Sequence, residues 1–238
     1  MKASYLFLLL LISVPGFARQ PDTAFVTAAI SHGRQLYHTR MKGEWPLNSG
    51  GQYVEYVSIE GEHPYFIPAW SNGTVQYLDD IYYHVPLLLD LSTDKLVTQH
   101  TLFDIAIQLS SEKVKKFTLE GHRFANLRQD SIKTLPESGF YEILQSGNVS
   151  LIARRKKSIQ RSISAGKVVA ILKESNAYYL LKDGETLPVS SRRSLLNALK
   201  DQPALRAQLK KNKIRFGANR ETGLAASVRI YNELQKSR

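Results

Sequence analysis

The chain has 238 residues, no cysteine, and 32 Lys and Arg against 21 Asp and Glu, a net charge of +11. Without cysteine there are no disulfides, thiolate metal sites, cysteine nucleophiles or cysteine-linked lipid anchor, and a chain of this length can bury a core without such staples. The charge is uneven: residues 1–150 hold 12 Lys and Arg and 15 Asp and Glu, net −3, whereas residues 151–238 hold 20 and 6, net +14, an asymmetry that points to an anionic partner.

The first segment is MKASYLFLLLLISVPGFARQ. Lys2 gives a positive start, Tyr5 to Val14 is an apolar run, and Pro15 and Gly16 break it. Gly16 and Ala18 stand at the −3 and −1 positions of a cut after Ala18, the layout of a cleaved secretory leader over residues 1–18. The run is shorter than the roughly 20 apolar residues of a spanning helix. A leader and a cysteine-free chain predict a bacterial exported protein, located in the periplasm or else extracellular or envelope-associated, with no transmembrane segment once the leader is removed.

The mature part divides into a strand-rich body, residues 19–189, and a basic helical segment, residues 190–238, expected to pack on it. Residues 21–35 read as a short helix interrupted at Gly33, and Leu36 to Arg40 as the start of a strand. Lys42 to Gly51 is a loop by its Gly, Pro, Asn and Ser content. Tyr53, Val54, Tyr56, Val57 and Ile59 are strand formers, and Pro64 and Pro68 mark an irregular or edge segment. In the stretch from Ile81 to Asp90, period two places Ile81, Tyr83, Val85, Leu87 and Leu89 on one face and Tyr82, His84, Pro86, Leu88 and Asp90 on the other. Asp90 and Asp94 fall at a corner, where carboxylates satisfy turn backbone groups.

The pattern continues through Phe103–Leu109, Lys115–Leu119 and His122–Leu127, with Glu120-Gly121 as a hairpin turn. Strands follow on each side of Ser146-Gly147-Asn148 and of Asp183-Gly184. Ser190 or Ser191, Asp201 or Gln202, and Asn219 can then cap three short helices. The predicted fold is α+β, mainly β: an antiparallel meander, either a sandwich or a partly open barrel, followed by about three C-terminal helices.

Residue patterns for chemistry are sparse. The six histidines include no helical metal-protease pair. His84 and His100 lie on strands predicted to pair, and the simpler reading is two partly exposed strand histidines. Asp90–Asp94 opens like a calcium loop, but Lys95 replaces the turn glycine and Thr101 the closing glutamate. Asp79-Asp80 and Glu60/Glu62 read as turn residues before they read as a glycosidase pair. Neither a nucleophile elbow nor a phosphate-cradling loop is present. No cofactor or metal is expected.

Two basic clusters remain: Arg154, Arg155, Lys156 and Lys157 on a strand, and Lys210, Lys211, Lys213 and Arg215 at a helix end. These eight residues are the candidate contacts for an anionic partner, a surface that is strong only if the two clusters meet in space. On a strand, adjacent residues face opposite sides, so at most two of the first four share a face.

Several pieces resemble a group of uncharacterised exported bacterial proteins: the hairpin Phe117–Phe124, the strand start Gly139–Leu144, the basic run Arg154–Lys157, and Ser194–Leu196 and Lys211–Ile214 in the helical end. The resemblance implies export and the meander-plus-helices plan, and it assigns no activity. The expected function is therefore a non-enzymatic binding or envelope-interaction module, contacting an anionic envelope component or another envelope protein and not nucleic acid. A periplasmic carrier of lipid or another apolar ligand is one alternative. A hydrolase of a cell-envelope polymer is the other.

Overall fold

Strand formers separated by Asp, Asn and Gly corners build one sheet of eleven strands in this computed structural model, which describes residues 45–54, 63–164, 167–200, 203–217 and 219–236 together with five positions between Ala29 and Leu36. The chain divides into two units, Met1–Arg40 and Met41–Arg238. In the first, Ala29, Ile30, His32, Gly33 and Leu36 are all helical. Gly33 thus does not interrupt the helix and Leu36 does not open a strand; one helical glycine costs only about 1 kcal/mol relative to alanine. The leader read over residues 1–18 lies outside the described residues. So does most of the strand expected from Tyr53 to Ile59, of which Tyr53 and Val54 are described and are not in a strand.

The second unit holds the sheet. Its strands are β1 Gly51–Gln52, β2 Ser71–Tyr77, β3 Asp80–Asp90, β4 Lys95–Gln99, β5 Ala106–Gln108, β6 Val114–Leu119, β7 His122–Leu127, β8 Gly139–Gln145, β9 Ser150–Ser164, β10 Lys167–Lys182 and β11 Glu185–Pro188. The order across the sheet is β1-β5-β4-β3-β2-β6-β7-β8-β9-β10-β11, and the pairings are antiparallel. The expected meander is present, with one break. Residues 109–113 carry the chain from β5 back past three strands to start β6 beside β2. Leu109 on this return is fully buried in the main core.

The sheet is open but strongly curled. Lys157 on β9 donates its backbone N–H to Leu91 O, just past β3, at 3.2 Å. Leu91 N–H in turn donates to Pro64 O at 3.0 Å. The main core fills the curl with Val75, Tyr77, Tyr82, Leu87, Leu96, Phe117 and Phe124 among others. Phe117 stacks on Phe124 and meets Phe140 edge-on.

Tyr82 corrects the period-two reading, which put it opposite the core-facing residues. It is 1% exposed and belongs to the main core. The register between β2 and β3 shifts between the Gly73–Val85 and Val75–Tyr82 pairs, so Tyr83 and His84 together oppose Thr74. His84 takes a positive φ of 54° at this bulge. One extra residue inverts the alternation on either side of it. Tyr82 therefore joins Val85, Leu87 and Leu89 inside, while Ile81 and Tyr83 face out.

Three helices follow: α1 Arg192–Ala198, α2 Pro203–Lys211 and α3 Arg220–Lys236. Ser191 and Ser194 form a capping box on α1, and Pro203 opens α2, where its missing N–H is no loss. A second core joins helices to sheet: Leu195, Leu199, Leu205, Leu209, Leu224 and Val228 meet Val149, Leu151 and Leu180. Asn232 fixes α3 on the β8–β9 corner by accepting from Val149 N–H at 3.0 Å and donating to Val149 O at 2.8 Å. A side chain at Gly223 would strike Arg215 O, so this glycine lets α3 approach the segment that follows α2.

Candidate functional site: a basic face on the C-terminal helices

The strand cluster and the helical cluster have different surroundings. Arg154 is 6% exposed and Arg155 9%. Arg154 donates to both oxygens of Asp94, at 2.7 and 2.9 Å, to Glu137 Oε1 at 2.9 Å and to Phe140 O at 2.8 Å. Burial alone draws its pKa down, but Asp94 and Glu137 more than reverse this, and the guanidinium stays charged. Arg155 donates to Glu142 Oε2 at 2.7 Å through Nε and bridges to Glu221 Oε2 at 2.7 Å through Nη2. Lys156 pairs with Glu137 at 2.6 Å. Lys157 donates to the carbonyls of His63 and Tyr65 at 3.0 and 2.9 Å. The four cations thus hold the curled sheet together, and Arg155 also ties it to α3.

A cleft of about 710 Å³ opens beside this network, lined by Asp94, Glu137, Arg154, Lys156 and several hydroxyls. Two carboxylates converge there, but neither is free. Partial burial pushes the Glu137 pKa up, and the hydrogen bonds from Lys156 and Arg154 outweigh it, so the carboxyl is held below its usual value. A general acid needs the reverse, a carboxyl that keeps its proton near working pH.

The network also contains a histidine that the sequence did not single out. His122 Nδ1 lies 2.5 Å from Glu142 Oε1, and Glu142 is 3% exposed. Phe66 packs edge-on to the imidazole. This is the geometry that orients a catalytic base, but among the described residues no hydroxyl is hydrogen-bonded to the ring. His84 and His100 are not brought together: His84 is the exposed bulge residue, and His100 Nδ1 accepts from Leu102 and Phe103 N–H in its own loop. Asp79 sits in an exposed turn and pairs with Lys115, while Glu60 and Glu62 lie outside the described residues. Asp90 is a buried corner residue that accepts from Ser92, Thr93 and Tyr53. Among the described residues no group of three or more His, Asp or Glu could hold a metal ion.

The helical cluster is different in kind. Lys210, Lys211, Lys213 and Arg215 are all exposed. Lys210, Lys213 and Arg215 line a groove of about 590 Å³ together with Arg192 and Arg206. A second groove of about 370 Å³ shares Arg192 and Arg206 and adds Arg193. No Asp or Glu is among the described residues lining either groove. Lys211 is exposed but lines neither.

Three members of this face, Arg192, Arg193 and Arg206, were missed in the sequence. Two signals could have found them. Arg206 and Lys210 recur at i and i+4, one stripe of a helix, and Lys213 follows three residues later in the turn. Arg192 and Arg193 occupy the first turn of α1, which holds no acidic residue, and cations there oppose the helix dipole by about 0.3–1 kcal/mol each. A residue choice that works against local stability is a pointer to function.

No protein-family model, curated protein or solved structure matches the chain.

Proposed function

We propose that this is an exported, non-enzymatic binding module that docks a phosphate-bearing envelope surface on the basic face of α1 and α2. The observation that carries the reading is the pair of adjoining grooves lined by Arg192, Arg193, Arg206, Lys210, Lys213 and Arg215, with no acidic residue among their described linings. Arginine forks match phosphate oxygens in two-point contacts. Such a face gains affinity from each phosphate it neutralises and loses it in salt. The distribution of charge also supports it: residues 190–238 carry 12 Lys and Arg against 3 Asp and Glu.

The alternatives have less support. The 710 Å³ cleft is lined by charges and hydroxyls rather than the apolar wall a lipid carrier needs. Its carboxylates are committed to Arg154 and Lys156, which leaves a hydrolase without an acid.

Co-sedimentation of the chain with phosphatidylcholine vesicles, with and without phosphatidylglycerol, tests the proposal. Binding is expected only with the anionic lipid and is expected to weaken as salt rises. Arg192→Ala, Arg206→Ala and Lys210→Ala together should weaken it about 100-fold, at about 1 kcal/mol per cation near an anionic surface. Equal binding to neutral vesicles, or a folded triple variant that binds undiminished, would overturn the reading.

A further inference from the structure

Strand β9 presents one face to the larger cleft. Arg154 and Lys156 stand at alternate positions and so point to the same side. Ser175 on β10 pairs with Lys156, which puts its side chain on that side too. These three line the cleft with Asp94 from the β3–β4 corner and with Glu137 and Ser138, which lead into β8. Its volume of about 710 Å³ lies within the roughly 300–1,000 Å³ of small-molecule sites.

The wall is fixed. Arg154 is 6% exposed, and its guanidinium holds both oxygens of Asp94. A side chain at Gly139 would strike Asp94 Oδ2 and Arg154 Nη2, so the backbone packs directly on this pair. Pairing nevertheless leaves hydrogen-bonding capacity. Arg154 donates Nε–H to Glu137, both Nη1 hydrogens to Asp94 and Phe140 O, and one Nη2 hydrogen to Asp94, and its fifth N–H remains. Lys156 gives Glu137 one of its three hydrogens. Asp94 Oδ1 and the two Glu137 carboxylate oxygens accept one bond apiece and can each accept a second. Ser138 Oγ accepts from Gln129 N–H and keeps its own hydrogen. The Ser175 hydroxyl has no hydrogen-bond partner among the described residues. Donors and acceptors thus stand side by side on groups whose charges cancel, two cations against two carboxylates. Lys157, also on the wall, gives its ammonium to the carbonyls of His63 and Tyr65.

We infer that this cleft binds a neutral saccharide. A sugar hydroxyl both donates and accepts, so each one can bridge a remaining carboxylate lone pair and a remaining N–H or O–H. An anion is opposed by Asp94 and Glu137, and a cation by Arg154 and Lys156. An apolar ligand would cover these groups and leave them without partners. Ile159, 40% exposed on the same wall, offers the C–H face of a sugar ring an apolar contact. The site is separate from the helical face and does not depend on its reading.

Two-dimensional NMR of the full chain tests this, with glucose, galactose and N-acetylglucosamine added separately, and with glucuronate and inorganic phosphate as charged counterparts. At least one neutral sugar is expected to move the Arg154 Nε–H signal and the Ser138 and Ser175 amide signals to saturation. Glucuronate and phosphate should bind there at least about tenfold more weakly. Ser175→Val places a good strand former at an exposed position and should weaken the sugar about five- to tenfold, the loss of one hydrogen bond. Arg192→Ala, Arg206→Ala and Lys210→Ala together should leave sugar binding unchanged, which separates this site from the helical face. The inference is overturned if none of the three sugars moves these signals, if either anion binds as tightly as the best of them, or if the folded Ser175→Val variant binds undiminished.

Discussion

Arg155 and Glu142 are both nearly buried, at 9% and 3% exposure, and each is the other's main neutralising partner. Taking two charges out of water is costly, and a buried pair recovers the cost only while both members are present. Arg155→Met is expected to destabilise the fold by about 3–5 kcal/mol, because Glu142 remains buried with His122 alone. Arg155→Met with Glu142→Leu should lose less than the sum of the two single changes. Urea unfolding of the four proteins in this cycle measures the coupling, and strict additivity would show that the pair does not act as a unit. The run Arg154–Lys157 was legible in the sequence as a dense charge cluster. Its role was not, because the partners Asp94, Glu137, Glu142 and Glu221 come from distant parts of the chain.

At the scale of an element, β3 shows how far period two can be trusted. The strand itself was plain from alternation, as were the turns at Glu120-Gly121 and Asp183-Gly184, whose residues take positive φ as such corners require. The bulge was not plain, because a histidine is an ordinary strand residue and nothing local marks His84 as an extra one. Its left-handed backbone costs a non-glycine residue about 1–2 kcal/mol. His84→Gly is thus expected to stabilise the protein by about 0.5–1 kcal/mol, since added freedom in the unfolded chain offsets part of the gain. A rise in thermal midpoint checks it. A fall would mean that the exposed imidazole contributes more than its backbone costs. The helices were also readable, and of the two caps expected for α1 it is Ser191 that holds it, because capping and apolar spacing are local signals.

For the whole molecule, burial of tyrosines sets an alkaline limit. Burial, with Asp80 and Tyr77 nearby, pushes the Tyr82 pKa up to about 12. Burial also pushes Tyr141 up to about 12 against the opposing pull of Arg154. Both folded values exceed the unfolded value near 10. The unfolded chain therefore releases these protons first, and stability that is full below about pH 10 falls as pH rises toward 12. Denaturant midpoints measured from pH 8 to 12 should drop over that window, and Tyr82→Phe should flatten the drop. A flat profile in the parent protein would show that the phenols are not buried in solution. The same scale holds the basic face, whose six cations come from α1, α2 and the turn after α2 and gain meaning only when those pieces adjoin.

The sequence by itself determined the class of fold, the positions of most corners and helix starts, and the concentration of positive charge in the last third, because hydrophobic period, turn chemistry and composition are properties of neighbouring residues. Only the tertiary structure decided which charges face outward. It turned Arg154 and Arg155 inward onto carboxylates 13 to 66 positions away, and left Lys210, Lys211, Lys213 and Arg215 exposed. It also returned the chain from β5 to the far side of β2 and inverted the face of Tyr82. The physical reason is common to all of these: pairing across a curled sheet joins residues far apart in the chain, and no local pattern records which partner a side chain will meet.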